Sequence, residues 1–135
     1  MQVKTAIPTP QTYTQDEAFE ASVEYFKGDD LAARVWVNKY ALKDSEGNIY
    51  EKTPNDMHRR IAKEIARIEQ RYANPMTEEE VFEAIKDFKY IVPQGSPMAG
   101  IGNPYQIASL SNCFVIGNNG DSDSYGGIMK IDQEQ

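Results

Sequence analysis

Cysteine and histidine are nearly absent from this sequence: one of each, Cys113 and His58, in 135 residues. A single cysteine excludes an intrachain disulfide, and with it the small secreted scaffold that depends on such staples; it fits a reducing, cytoplasmic setting. One cysteine and one histidine also fall short of the usual ligand set of a structural zinc site. Basic residues are in deficit, 14 Lys and Arg against 21 Asp and Glu, a formal net charge of −7. That argues against binding a nucleic-acid polymer, whose phosphates call for clustered positive charge. No apolar run approaches the roughly 20 residues that cross a bilayer. The opening MQVKTAIPTPQTYT has neither the apolar core nor the small-residue cleavage pattern of a secretory leader.

What remains, 40% hydrophobic and 26% charged residues, is the composition of an ordinary globular domain. Residues 1–13, with Pro8 and Pro10, read as an extended lead-in. From Thr14 onward the pattern is helical. Thr14 with Glu17, and Thr77 with Glu80, have capping-box spacing, and Thr53-Pro54 places an N-cap before a first-turn proline. Phe19, Val23 and Phe26 share a face of the first helix, which ends at Lys27-Gly28. In the second, which starts at Asp29-Asp30, Leu31, Val35 and Trp36 are expected to face a core while Ala32-Ala33 allow close approach. These aromatic positions at helical spacing read as packing. Asp44 to Asn48 is a turn, followed by a short extended piece at Ile49-Tyr50. Met57, Ile61, Ile65 and Ile68 define the clearest amphipathic helix, with His58 read as a surface or satisfied boundary residue beside the stripe. Glu78, Glu79 and Glu80 complement the positive end of the last helix of this region, whose buried face is Val81, Ile85 and Phe88.

At Tyr90 the pattern changes. Tyr90 to Val92 and Phe114 to Ile116 read as two buried strands. The segment between them is broken by Pro93, Gly95, Pro97, Gly100, Gly102 and Pro104, and cannot be regular structure throughout. A loop of this length in a compact domain is most often functional. It delivers Cys113 to the start of the second strand, beside Ser111 and Asn112. On the residues alone, two readings of that thiol stand: a small buried hydrophobe, or a redox group. Beyond it, Gly117 to Gly120 mark a turn, and Asp121 to Ser124 precede a helix beginning near Gly126. Such a helix start can hold phosphate, or the loop can be plain surface.

The blocks SPMAG and SLSNCFVIGN, in that order, resemble the first barrel segment of the ribonucleotide reductase large subunit. The upstream run VWVNKYALKDSEGNIYEKTPNDMHRRIA is similar to the N-terminal helical region of that family, and the wording of the 36–50 segment and the DSYGGIMK block resemble the adenosylcobalamin-dependent (class II) branch. The resemblance implies an α+β fragment: a helical domain over residues 14–89, then over residues 90–135 the first strands and loops of a ten-stranded α/β barrel. It implies thiyl-radical reduction of a ribonucleotide, with Cys113 as one member of the cysteine pair that supplies electrons by forming a disulfide. Ser96 and Asn112 match substrate-contacting positions, although asparagine stands where serine is common. Asp121, Ser122, Asp123 and Ser124 match the start of the loop that binds an ATP or deoxynucleotide effector. The implied partners are the remainder of a reductase chain, a thioredoxin-like reductant, and a second copy once the enzyme is complete. The second redox cysteine and the thiyl cysteine have no counterpart in these residues, and the optional N-terminal ATP-binding module has none before Thr14. A large subunit served by a separate metal-radical protein, and a non-catalytic helical interaction module, are the alternative readings.

Overall fold

In the computed structural model the described residues are 11–113, 115 and 123–134. The chain begins with two helices, α1 (Gln15–Tyr25) and α2 (Asp30–Lys39), which pack against each other. Thr14 caps α1 reciprocally: its N–H donates to the Glu17 carboxylate at 2.8 Å, and the Glu17 N–H donates to Thr14 Oγ1 at 3.2 Å. The helix closes through Lys27 and Gly28, both at positive φ, where the Gly28 N–H reaches the Val23 carbonyl. Asp29 then caps α2 by accepting from the Ala32 N–H. Ala18, Ser22 and Ala33 are all fully buried, so small side chains let the two axes approach.

That close approach corrects the expected face of α2. Ala33, Trp36 and Val37 are buried, while Leu31 is 72% exposed and Val35 is also exposed. Positions 33, 36 and 37 lie at i, i+3 and i+4, and the stripe containing alanine is the one that fits against α1.

A turn over residues 44–48 follows. The Asp44 carboxylate accepts from the Glu46 and Asn48 N–H groups, the Asn48 amide and the Tyr50 hydroxyl, and these bonds hold its pKa down, to about 2. Ile49 is buried and makes isolated antiparallel bridges to Tyr13 and Lys43, which is the short extended piece expected there. Of the lead-in, residues 1–10 lie outside the described residues.

Helix α3 (Pro54–Glu69) crosses the centre and packs on α4 (Glu78–Ile85). Met57, Ile61 and Ala62 are buried with Trp36, Val37, Ile49, Val81 and Ile85 in one core. Arg59 joins the two helices at the surface, 3.5 Å from the centroid of the Phe82 ring and 2.7 Å from Glu79. Glu80 completes the Thr77 cap. The acidic trio therefore serves the helix and its neighbour, as a first-turn cluster should.

His58 is fully buried rather than at a surface or boundary. Its ring meets Phe88 edge-on, with centroids 4.6 Å apart. Phe88 closes over it from a short 3-10 turn, Lys86–Phe88, in which Asp87 and Phe88 both have positive φ.

Tyr90 to Val92 is not a strand and is exposed. A strand is stabilised by a partner edge and a face to cover, and no strand occurs among the described residues. In the second expected strand, Phe114 and Ile116 lie outside the described residues, and Val115 is exposed. Two further helices complete the description: α5 (Gly95–Gly100), inside the long loop, and α6 (Tyr125–Glu134).

Candidate functional site

The long loop carries the candidate substrate and redox residues, Ser96, Asn112 and Cys113, and its only helix is a poor one by composition. Helix α5 has six residues, GSPMAG, with two glycines and a proline. Such a segment has little helical preference and is far below the length at which helices persist alone. It is held from both ends.

At the N-terminal end, the Asn112 Oδ1 accepts from the Ser96 N–H at 2.8 Å, and the Asn112 amide donates to Gln94 Oε1 at 2.5 Å. The two expected substrate residues, Ser96 and Asn112, are thus brought together across sixteen residues of chain. The contact uses the backbone of Ser96 and leaves its hydroxyl out of this bond. Gly95 lies close to Tyr40: a Cβ there would sit 3.5 Å from the Tyr40 hydroxyl and 3.7 Å from Asn112 Oδ1. Cys113, next in the chain, is a free and exposed cysteine. The buried-hydrophobe reading of this residue does not hold.

At the C-terminal end stands a pair that the sequence reading passed over. Arg60, on α3, donates from Nε to Glu51 Oε1 at 2.7 Å and from Nη2 to the Met98 carbonyl at 2.9 Å, while its Nη1 donates to the Ile101 carbonyl. Glu51 also accepts from the Leu42 N–H at 2.8 Å. Both side chains are nearly solvent-inaccessible, at 9% and 4% exposure. Burial pushes the Glu51 pKa up, and the bonds and charge of Arg60 oppose that rise. The one sequence signal for this pair was Arg60 itself, which sits beside the Met57–Ile61 stripe.

The rest of the loop is tied to the 44–50 turn. Tyr105 stacks on Tyr50, with centroids 4.9 Å apart and planes 22° from parallel. The Tyr50 hydroxyl also donates to Asp44. Hydrogen bonding with Tyr105 and then Asp44 raises the Tyr50 pKa. Between α3 and residues 100–110 runs a groove of about 750 Å³, with Ile65, Ile68, Tyr72, Ile107 and Leu110 on its walls. Ser96, Asn112 and Cys113 do not line it.

Of the expected effector residues, Asp121 and Ser122 lie outside the described residues. Asp123 is exposed, and Ser124 Oγ accepts from the Gly127 N–H at 3.0 Å, at the start of α6. Asp123 and Ser124 therefore belong to a different element from the Ser96–Asn112 contact.

A family model described as the ribonucleotide reductase all-alpha domain matches residues 26–104, more than half of the chain. The chain belongs to the ribonucleotide reductase family. The match spans α2 to α5 and the Glu51–Arg60 pair, and the helical architecture of these residues agrees with an all-alpha domain. No curated protein and no solved structure matches the chain. Within this reductase-family chain, no helix among the described residues is long and apolar enough to cross a membrane.

Proposed function

We propose that this chain supplies the N-terminal helical domain and the first substrate-facing loop of a ribonucleotide reductase large subunit, and that Cys113 is one of the two thiols that reduce the substrate. The observation that carries the reading is the Asn112 contact: the side chain of Asn112 holds the backbone of Ser96, and the residue that follows it in the chain is an exposed cysteine. The membership of the family supports it.

In this reading Ser96 and Asn112 orient the ribose, and Cys113 pairs with a second cysteine contributed by another polypeptide segment, since this chain has no other. The 2′-hydroxyl leaves as water, a hydrogen takes its place, and the two thiols become a disulfide; the substrate gains the two electrons the thiols lose. A thioredoxin-like protein then resets the pair by exchange, which needs a sulfur at the surface. Asp121 to Ser124 lead into α6 and are proposed to begin the effector loop, for ATP or a deoxynucleotide. The barrel is proposed to start after residue 89, with Tyr90 to Val92 finding its strand partners in segments beyond these residues, and a complete enzyme is proposed to pair into a homodimer in the cytoplasm.

Adenosylcobalamin is the proposed radical source, on the wording of the 36–50 and DSYGGIMK segments. It would generate the radical that activates the ribose. The one histidine is sealed under Phe88, and no residue of this chain is assigned to hold the corrin. The test is complementation: the chain combined with a polypeptide carrying the remaining barrel of a class II reductase, assayed for conversion of ribonucleotide to deoxyribonucleotide. Activity that requires adenosylcobalamin and is abolished by Cys113→Ser is expected. Activity that persists in Cys113→Ser would overturn the assignment of the thiol, and activity only with a separate metal-radical subunit would overturn that of the cofactor.

A further inference from the structure

Helix α5 has no intrinsic reason to persist, so its two external ties decide where its residues stand. We propose that Arg60, fixed by Glu51, is a positioning residue: by holding the C-terminal carbonyls of α5 it keeps Ser96 and Asn112, at the other end, in place beside Cys113.

The geometry suits arginine in particular. The guanidinium offers donors in a rigid planar fork. One edge engages Glu51, with Nε at 2.7 Å and Nη2 at 3.4 Å from its two oxygens. The remaining donors reach the Met98 and Ile101 carbonyls, the free acceptors at the end of a short helix. Glu51 cannot swing away, because it also accepts from the Leu42 N–H. Gly102, at φ +69°, lets the chain turn directly over the arginine: a Cβ there would come within 2.9 Å of Arg60 Cγ. Met98 and Ile101 pack partly against the core, so α5 is seated by contact as well as by charge. A buried pair of this kind is weak evidence of stabilisation in itself, and its clearest use is to specify one arrangement. Here the arrangement specified is the register of a loop against the helical domain, through a residue some 40 positions away in the chain.

What the loop binds rests on the function proposed above; the positioning itself does not. The test compares the wild-type chain with Arg60→Lys, which can keep the charge pair with Glu51 but cannot fork to two carbonyls. Amide hydrogen exchange is read at Ser96, Met98 and Ile101, with Ile61 in α3 as the internal reference. Losing a charge-assisted bond from the clamp is expected to speed exchange at these three sites, two in α5 and one at its C-cap, by about ten-fold or more, with Ile61 unchanged. Unchanged exchange at all three, or acceleration at Ile61 in equal measure, would overturn the proposal.

In the complemented reductase the same variant is expected to raise KM for the ribonucleotide by roughly ten-fold, with kcat changed less than about two-fold. A fall in kcat at constant KM would mean that the arginine serves something other than substrate placement. Should the wild-type complement fail to reduce ribonucleotides at all, the functional reading fails, while the exchange data still decide the positioning role.

Discussion

Lowering the pH from 7 to 4 should destabilise this protein through His58 in particular. The imidazole is fully buried, covered edge-on by Phe88, and its Nε2 has no hydrogen-bond partner. Its Nδ1 lies 3.5 Å from Asn55 Oδ1, at the limit of a hydrogen bond. Burial pushes the pKa down from 6.5 to about 4, and the nearby Asp87 carboxylate opposes the shift only in part. Tyr25, whose pKa is raised chiefly by burial and then by the same Asp87 charge, stays neutral throughout this range. Between pH 6.5 and 4 the unfolded chain binds a proton at this site and the folded chain does not, so each step downward favours unfolding. The stabilisation is fully present above pH 6.5 and is lost as the pH falls to about 4. A shift of this size corresponds to about 3 kcal/mol. That is a large part of the roughly 5–15 kcal/mol that holds an ordinary domain together.

Urea unfolding at half-unit pH intervals measures it, with His58→Gln and His58→Leu compared with the wild type. Glu51, with its raised pKa, and the helix-capping carboxylates of Glu17 and Glu80, with lowered ones, also titrate near the acid end. Subtracting the variants removes their shared contribution. The wild type should lose about 3 kcal/mol more than either variant over the window, and the His58 ring protons should titrate with a midpoint near 4. Parallel pH profiles, or a midpoint near 6.5, would refute the reasoning.

Other perturbations test separate parts of the fold and loop. Glu51→Ala leaves the Arg60 guanidinium buried without its carboxylate and should cost about 3–5 kcal/mol by chemical unfolding, whereas an exposed pair would cost under about 1 kcal/mol. Gly102→Ala combines a left-handed backbone with a close approach to Arg60, and a loss of about 1–3 kcal/mol is expected; a neutral result would mean that the loop turns elsewhere. Thr77→Ala removes a reciprocal cap from α4 and should lower stability by about 1 kcal/mol, read as a shift in Tm. Cys113 should react with iodoacetamide in the folded chain at a rate close to that of the urea-unfolded chain, and strong protection would show a covered sulfur.

Local chemistry made the helix starts legible. Thr14 with Glu17, Asp29, and Thr77 with Glu80 each satisfy donors within three residues, so their signal needs no knowledge of the fold. The face of α2 was not legible in the same way. Trp36 is buried as expected, but Leu31 and Val35 look more hydrophobic than Ala33 and are nonetheless exposed, because the buried face is decided by how closely α1 can come. The Glu51–Arg60 pair was hidden because its meaning lies in carbonyls near residue 100, and backbone acceptors carry no sequence signature. Tyr90 to Val92 has the composition of a strand, but composition supplies only half of a strand, the other half being an edge to pair with. For the site, the order SPMAG then SNC pointed to one loop, and the Asn112 bridge between Ser96 and the cysteine is the part that only the fold could show.

The most direct measurement is a single turnover without external reductant. The complemented, pre-reduced enzyme is mixed with ribonucleotide and adenosylcobalamin, quenched, and analysed for deoxyribonucleotide and for the state of Cys113 by peptide mass mapping. The account predicts one disulfide that includes Cys113 for each deoxyribonucleotide formed; product accumulating while Cys113 remains a free thiol would contradict it.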